Sequence, residues 1–140
     1  MHFANVNWLA IFIAAAAGYG VGAAWYAIFG KRWMAANGMT VEMVKSGGTG
    51  AGISYILAAV ANVLIAVIFA GVLFHMRGVG PSPLRTAIIS AVVLWLGFIL
   101  STLMVNYSFA RRPPVLIAID SGHWLAVMLV MAVILGLMGV

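Results

Sequence analysis

Residues 51–75 read AGISYILAAVANVLIAVIFAGVLFH, with no proline and no acidic, lysine or arginine side chain. About 20 consecutive apolar residues suffice to cross a bilayer as a helix. A helix suits lipid because it satisfies every backbone group internally. Three further runs share this character, at about 8–29, 84–107 and 115–140. The four predict an all-α fold: an integral membrane four-helix bundle forming a single transmembrane domain over residues 1–140.

Composition points the same way. Of 140 residues, 66% are hydrophobic and 6% charged, against about 25% charged in a soluble domain. So short a chain cannot hide that much apolar surface in a water-soluble core. The net charge is +5, but the basic residues are few and lie in the gaps between apolar runs. That placement suits anionic lipid headgroups rather than nucleic acid. The absence of cysteine excludes disulfides, thiolate metal sites and thiol nucleophiles. The segment before Trp8 lacks the basic start of a cleaved signal peptide.

The connections carry familiar punctuation. Gly30-Lys31-Arg32 is expected to end the first helix. Residues 40–45, TVEMVK, read as a short interfacial helix with Thr40 as N-cap, and residues 46–50, SGGTG, as a flexible joint. Residues 78–83, GVGPSP, predict a tight turn. Arg111-Arg112-Pro113-Pro114 separates the last two spans, with Pro114 suited to a first helical turn. Lys31, Arg32, Lys45, Arg111 and Arg112 lie in the odd connections, and only Arg77 and Arg85 flank the middle turn. The positive-inside bias then places both termini outside the cytoplasm.

Asp120 is the acid placed beside a spanning segment; Glu42 lies in the long loop. An ionisable group at membrane depth is a functional candidate by default. Two structural roles, Asp120 as N-cap of a helix beginning at Ser121 or as a partner of Arg111, Arg112, Lys31 or Arg32, compete with a ligand-binding or proton-handling one. Antiparallel spans bring Trp25, Tyr26, Asn106, Tyr107, Asp120 and His123 to one membrane face, so the candidate ligand site is Asp120, Asn106, Tyr26, His123 and Trp25. The first span closes on Trp25-Tyr26 before a basic pair, the third on Asn106-Tyr107 before another, as two duplicated hairpins or two ordinary aromatic belts would. His75 and His2 fall at the face opposite His123, about 25–30 Å away. No metal and no cofactor are therefore expected, and Ser121, Asp120 and His123 are too close in sequence to form a hydrolytic triad.

In the first span, Ala14, Gly18 and Gly22 form one small-residue face, and Ala16, Gly20 and Ala24 another. Both suit close helix packing, within the bundle or in a homo-oligomer. Asn62, midway along the second span, predicts a helix-to-helix hydrogen bond.

The stretch closing the first span, residues 25–34 (WYAIFGKRWM), with Leu96-Gly97-Phe98, Asn106, Arg112-Pro113 and Ile119-Asp120, resembles the bacterial "domain of unknown function 1761" family over nearly the whole chain. The resemblance implies a small four-span protein of a bacterial cytoplasmic (inner) membrane and supplies no activity or ligand. At His123 it leads one to expect an aromatic residue.

The expected function is that of an accessory or structural membrane protein acting through helix packing or self-association. The alternative is a small-solute, ion or lipid binding or transport protein with a polar site near Asp120 at the cytoplasmic leaflet. The poor supply of acids, histidines and thiols points away from an enzyme. Expected partners are membrane lipids, anionic ones included, a second copy of the chain, and an unidentified small molecule, but no nucleic acid.

Overall fold

The computed structural model describes residues 6–46 and 49–140, with side chains left aside for 49–51. Gly47 and Gly48 of the expected joint, and His2, lie outside the described residues. The described chain is helical: α1 (Trp8–Ala36), the short α2 (Val41–Ser46), α3 (Thr49–His75), α4 (Pro83–Phe109) and α5 (Pro114–Met138). Within α4, Trp95–Leu100 forms a π-helical stretch. The four long helices are each apolar and long enough to cross a membrane, the pattern of a multi-pass membrane protein.

Local chemistry sets the helix ends. Asn7 caps α1 by accepting from the Ala10 amide at 3.1 Å, and its Nδ2 donates to the Met138 carbonyl at 3.1 Å. One side chain thus ties the start of α1 to the end of α5. Contrary to expectation, α1 does not stop at Gly30-Lys31-Arg32 but runs to Ala36. Basic residues end the hydrocarbon depth of a span, not its hydrogen bonding. The stop is Asn37-Gly38: Gly38 adopts φ 67°, the Gly38 amide donates to Ala35 and the Met39 amide to Met34, and these two bonds satisfy the last carbonyls. Thr40 caps α2 through its Oγ1, 3.2 Å from the Met43 amide. Ser82 caps α4 with Pro83 in its first turn, and Pro114 opens α5.

α5 is the central helix. It packs along α1 on one side and α4 on the other, while α3 lies against α1. The core sits toward the end holding both the α3–α4 turn and the last turn of α5. There Ala10, Ile11 and Ala14 of α1, Ala66, Phe69 and Ala70 of α3, Ala87 and Ala91 of α4, and Val127, Met131 and Leu135 of α5 are buried together. Small residues dominate because helices in lipid gain from close van der Waals approach rather than from expelling water. At Gly136 a Cβ would lie 2.8 Å from the Leu84 Cα, so glycine sets the α4–α5 distance. Toward the other end α3 diverges: residues 52–60 are all exposed.

Backbone, unlike a side chain, cannot swing aside. Gly136→Leu is therefore expected to lower stability by about 1–3 kcal/mol, read as an earlier midpoint when the protein is unfolded with dodecyl sulfate in mixed micelles.

Candidate functional site

Asp120 lies on the second turn of α5, about 9 Å along its axis from Pro114 at 1.5 Å per residue. It is inside the helix and not its N-cap, because Pro114, with its fixed φ and no amide proton, already opens the helix. Its carboxyl is 7% exposed. It is held by neither Arg nor Lys. The Tyr26 hydroxyl donates to Oδ1 at 2.6 Å and the Tyr107 hydroxyl to Oδ2 at 2.7 Å. Cations at the helix ends remain near the headgroups, where snorkelling is cheap, and the two phenols reach the carboxyl at depth. The tyrosines that close the first and third spans thus converge on one carboxylate.

Two indoles reinforce this latch. The Trp25 Nε1–H donates to the Ile119 carbonyl at 3.0 Å and the Trp95 Nε1–H to the Ser121 carbonyl at 2.7 Å. Gly122 admits the Trp25 ring: a Cβ there would lie 2.9 Å from Trp25 Cζ2. Trp95 and Tyr107 are twelve positions apart. In a uniform α-helix of 3.6 residues per turn they would point about 120° away from each other. The π stretch Trp95–Leu100 underwinds α4 and brings both onto the face toward α5. At its end, the Ser101 hydroxyl donates back to the Gly97 carbonyl inside it at 2.6 Å. π segments inside α-helices gather at functional sites.

His123 stands one turn beyond Asp120. It is 8% exposed and its ring lies 5.1 Å from Tyr26 and 4.7 Å from Trp124. Its Nδ1 is buried without a hydrogen-bond partner. Its Nε2 sits over Gly22, where a Cβ would come within 2.8 Å. Asn62 corrects a second expectation. Its Nδ2 donates to the Ala58 carbonyl of its own helix at 2.9 Å, and its buried Oδ1 has no partner, because it is wedged against Gly18, where a Cβ would lie 2.6 Å from it. Gly18 and Gly22 provide the closeness at which α1 meets α3 and α5, and Ala14 is buried in the core beside them.

Between α1, α3 and α5 lies a cavity of about 590 Å³, lined by Tyr26, Asn62, His123 and Trp124 among others, with the exposed Tyr19 and Tyr55 at its rim. Its lining comes from three of the four helices that are long and apolar enough to cross a membrane. Asp120 does not line it; Tyr26 belongs to both cavity and latch.

Of the residues named from sequence, the fold gathers Trp25, Tyr26, Asp120 and His123. It leaves Asn106 exposed, one position from Tyr107 on a different face of α4. Gly20 faces outside the bundle, with no atom near an added Cβ, so it is not part of the packing made by Ala14, Gly18 and Gly22. His75 is at the far end, its Nδ1 2.7 Å from the Gly71 carbonyl. Sequence reasoning missed Trp95 as a member of the latch and Tyr107 as a donor equal to Tyr26; the paired span endings were the available signal for Tyr107.

The model of a family described as "Protein of unknown function (DUF1761)" matches residues 9–136. No curated protein and no solved structure matches the chain.

Tyr26→Phe and Tyr107→Phe each remove one donor from a buried carboxylate. Each is expected to destabilise by about 1–2 kcal/mol. Because both bonds end on Asp120, the double variant should depart from additivity by at least about 0.5 kcal/mol; a double-mutant cycle on the dodecyl sulfate transition measures it.

Proposed function

The chain belongs to the DUF1761 family, and from that premise we propose that it is a membrane protein that takes up a small molecule from within the bilayer, in the cavity between α1, α3 and α5. One observation carries the reading. His123 is more than nine-tenths buried on the cavity wall and makes no hydrogen bond among the described residues. A polar group withdrawn from water without a partner costs roughly 1–3 kcal/mol, and a ligand that bonds it recovers that cost. Volume supports the same reading, since small-molecule sites run from about 300 to 1,000 Å³. The Asp120 latch then serves as scaffold, holding the wall residues Tyr26 and His123 in place.

The expected orientation puts this end at the cytoplasmic leaflet of a bacterial inner membrane, with both termini outside. It rests on Lys31, Arg32, Lys45, Arg111 and Arg112, the same side chains that would meet anionic headgroups. A second reading, the accessory role through self-association, is favoured by the outward face of Ala16, Gly20 and Ala24, which lies exposed on α1.

Diphenylhexatriene, an uncharged rod, tests the uptake. Energy transfer from tryptophan should saturate in the wild type in detergent. Ala23→Phe, which projects a ring into the cavity from an exposed position, should weaken binding about tenfold or more. Equal binding by wild type and variant would remove the cavity from consideration. If Gly20→Leu instead abolishes a dimer seen by crosslinking and leaves probe binding untouched, self-association is a separate property of the outer face.

A further inference from the structure

The cavity also specifies what chemistry it receives, an inference that rests on the uptake reading above. No Asp, Glu, Lys or Arg lines it. A charged ligand would therefore sit without a counter-charge in low dielectric, at a cost several times that of a neutral one. The ligand is uncharged.

Its polar group follows from the hydrogen inventory of the wall. The neutral imidazole carries one N–H. Nδ1 of His123 is sealed without a partner. A buried N–H left unpaired is rarer and costlier than an unmet acceptor, so the proton belongs on Nε2, which packs beside the cavity-lining Gly22 and, unlike Nδ1, is not fully sealed. Trp124, beside it on the wall, is a donor only and has no hydrogen bond among the described residues. Asn62 offers no acceptor to the cavity, because its Oδ1 is fully buried. The Tyr26 hydroxyl is spent on Asp120. Behind the rim hydroxyls of Tyr19 and Tyr55, which can donate or accept, the wall thus presents the donors of His123 and Trp124 with no acceptor side chain among the described residues to match them. Around them Tyr26, His123 and Trp124 form an aromatic surface with ring centroids 4.7 and 5.1 Å apart, suited to the face or edge of another ring. Tyr55 at the rim is exposed, on a helix apolar enough to cross a membrane.

We propose that the site binds an uncharged, ring-bearing amphiphile whose carbonyl oxygen accepts from the His123 Nε2–H, with its apolar tail leaving between α1 and α3 into the bilayer.

Three probes of similar shape separate the possibilities by competition against diphenylhexatriene in the full-length protein: 4-octylacetophenone, decylbenzene and the anion of 4-octylbenzoic acid. The ketone should displace the rod about fivefold or more better than the hydrocarbon, the net worth of one hydrogen bond, and the carboxylate should be the weakest. His123→Phe should bring ketone and hydrocarbon to parity. Should that variant not fold, infrared spectroscopy of the ketone on the wild type serves instead, with a lowered carbonyl stretch expected on binding and an unshifted one contradicting the proposal. Parity of ketone and hydrocarbon on the wild type overturns the acceptor assignment while leaving the cavity as a binding site. Preference for the carboxylate overturns neutrality. No saturable displacement by any of the three overturns the uptake reading itself.

Discussion

A carboxyl group withdrawn from water into a helical bundle has to be met by donors, and the way Asp120 is met organises one end of this molecule. Each oxygen accepts from one phenol, Tyr26 of α1 and Tyr107 of α4, so a single side chain of α5 binds both neighbouring helices. Arginine or lysine would neutralise the charge more completely, but at this depth the long basic side chains reach the headgroups more easily. Phenols bring apolar rings with a polar tip, which suits the border between hydrocarbon and headgroup. The two indole bonds to the Ile119 and Ser121 carbonyls add donors along the same turn of α5.

The two ends of the bundle are held by different forces. Toward the α3–α4 turn, alanine-rich faces bring helix backbones close, and dispersion over many contacts does the holding. Toward the Asp120 end, α3 leaves the bundle and a few directed hydrogen bonds replace it. Directed bonds can fix α1, α4 and α5 without filling the space beside them. That is the physical reason a cavity of about 590 Å³ coexists with a tightly packed core in so small a chain. The glycines follow the same division: Gly136 sets an approach at the packed end, while Gly22 and Gly122 make room for His123 and Trp25 at the bonded one.

The π stretch in α4 links the two regimes. Ala87 and Ala91, before it, pack on α5; Trp95 at its start and Tyr107 beyond it hydrogen-bond to α5. Without the underwinding, a helix aligned for the first pair would turn the last residue away. Its presence explains why α4, with few buried residues, stays in register with α5 along both halves.

Hydrophobic runs, lengths and punctuation by themselves determined the four spans, the short helix capped by Thr40 and the gathering of Trp25, Tyr26, Asp120 and His123 at one end, because bilayer thickness and chain alternation leave little freedom once the apolar segments are known. They did not determine where α1 stops, since charge at a membrane boundary looks like a helix end while the Asn37-Gly38 backbone geometry is the actual one. Nor did they determine which donors reach Asp120, that Asn106 turns outward, or that Asn62 bonds within its own helix. Those outcomes depend on helix rotation and on angular register set by the π stretch, by Gly18 and by Gly22. Only three-dimensional packing decides them, because a one-dimensional pattern fixes the depth of a residue in the membrane but not the direction in which its side chain points.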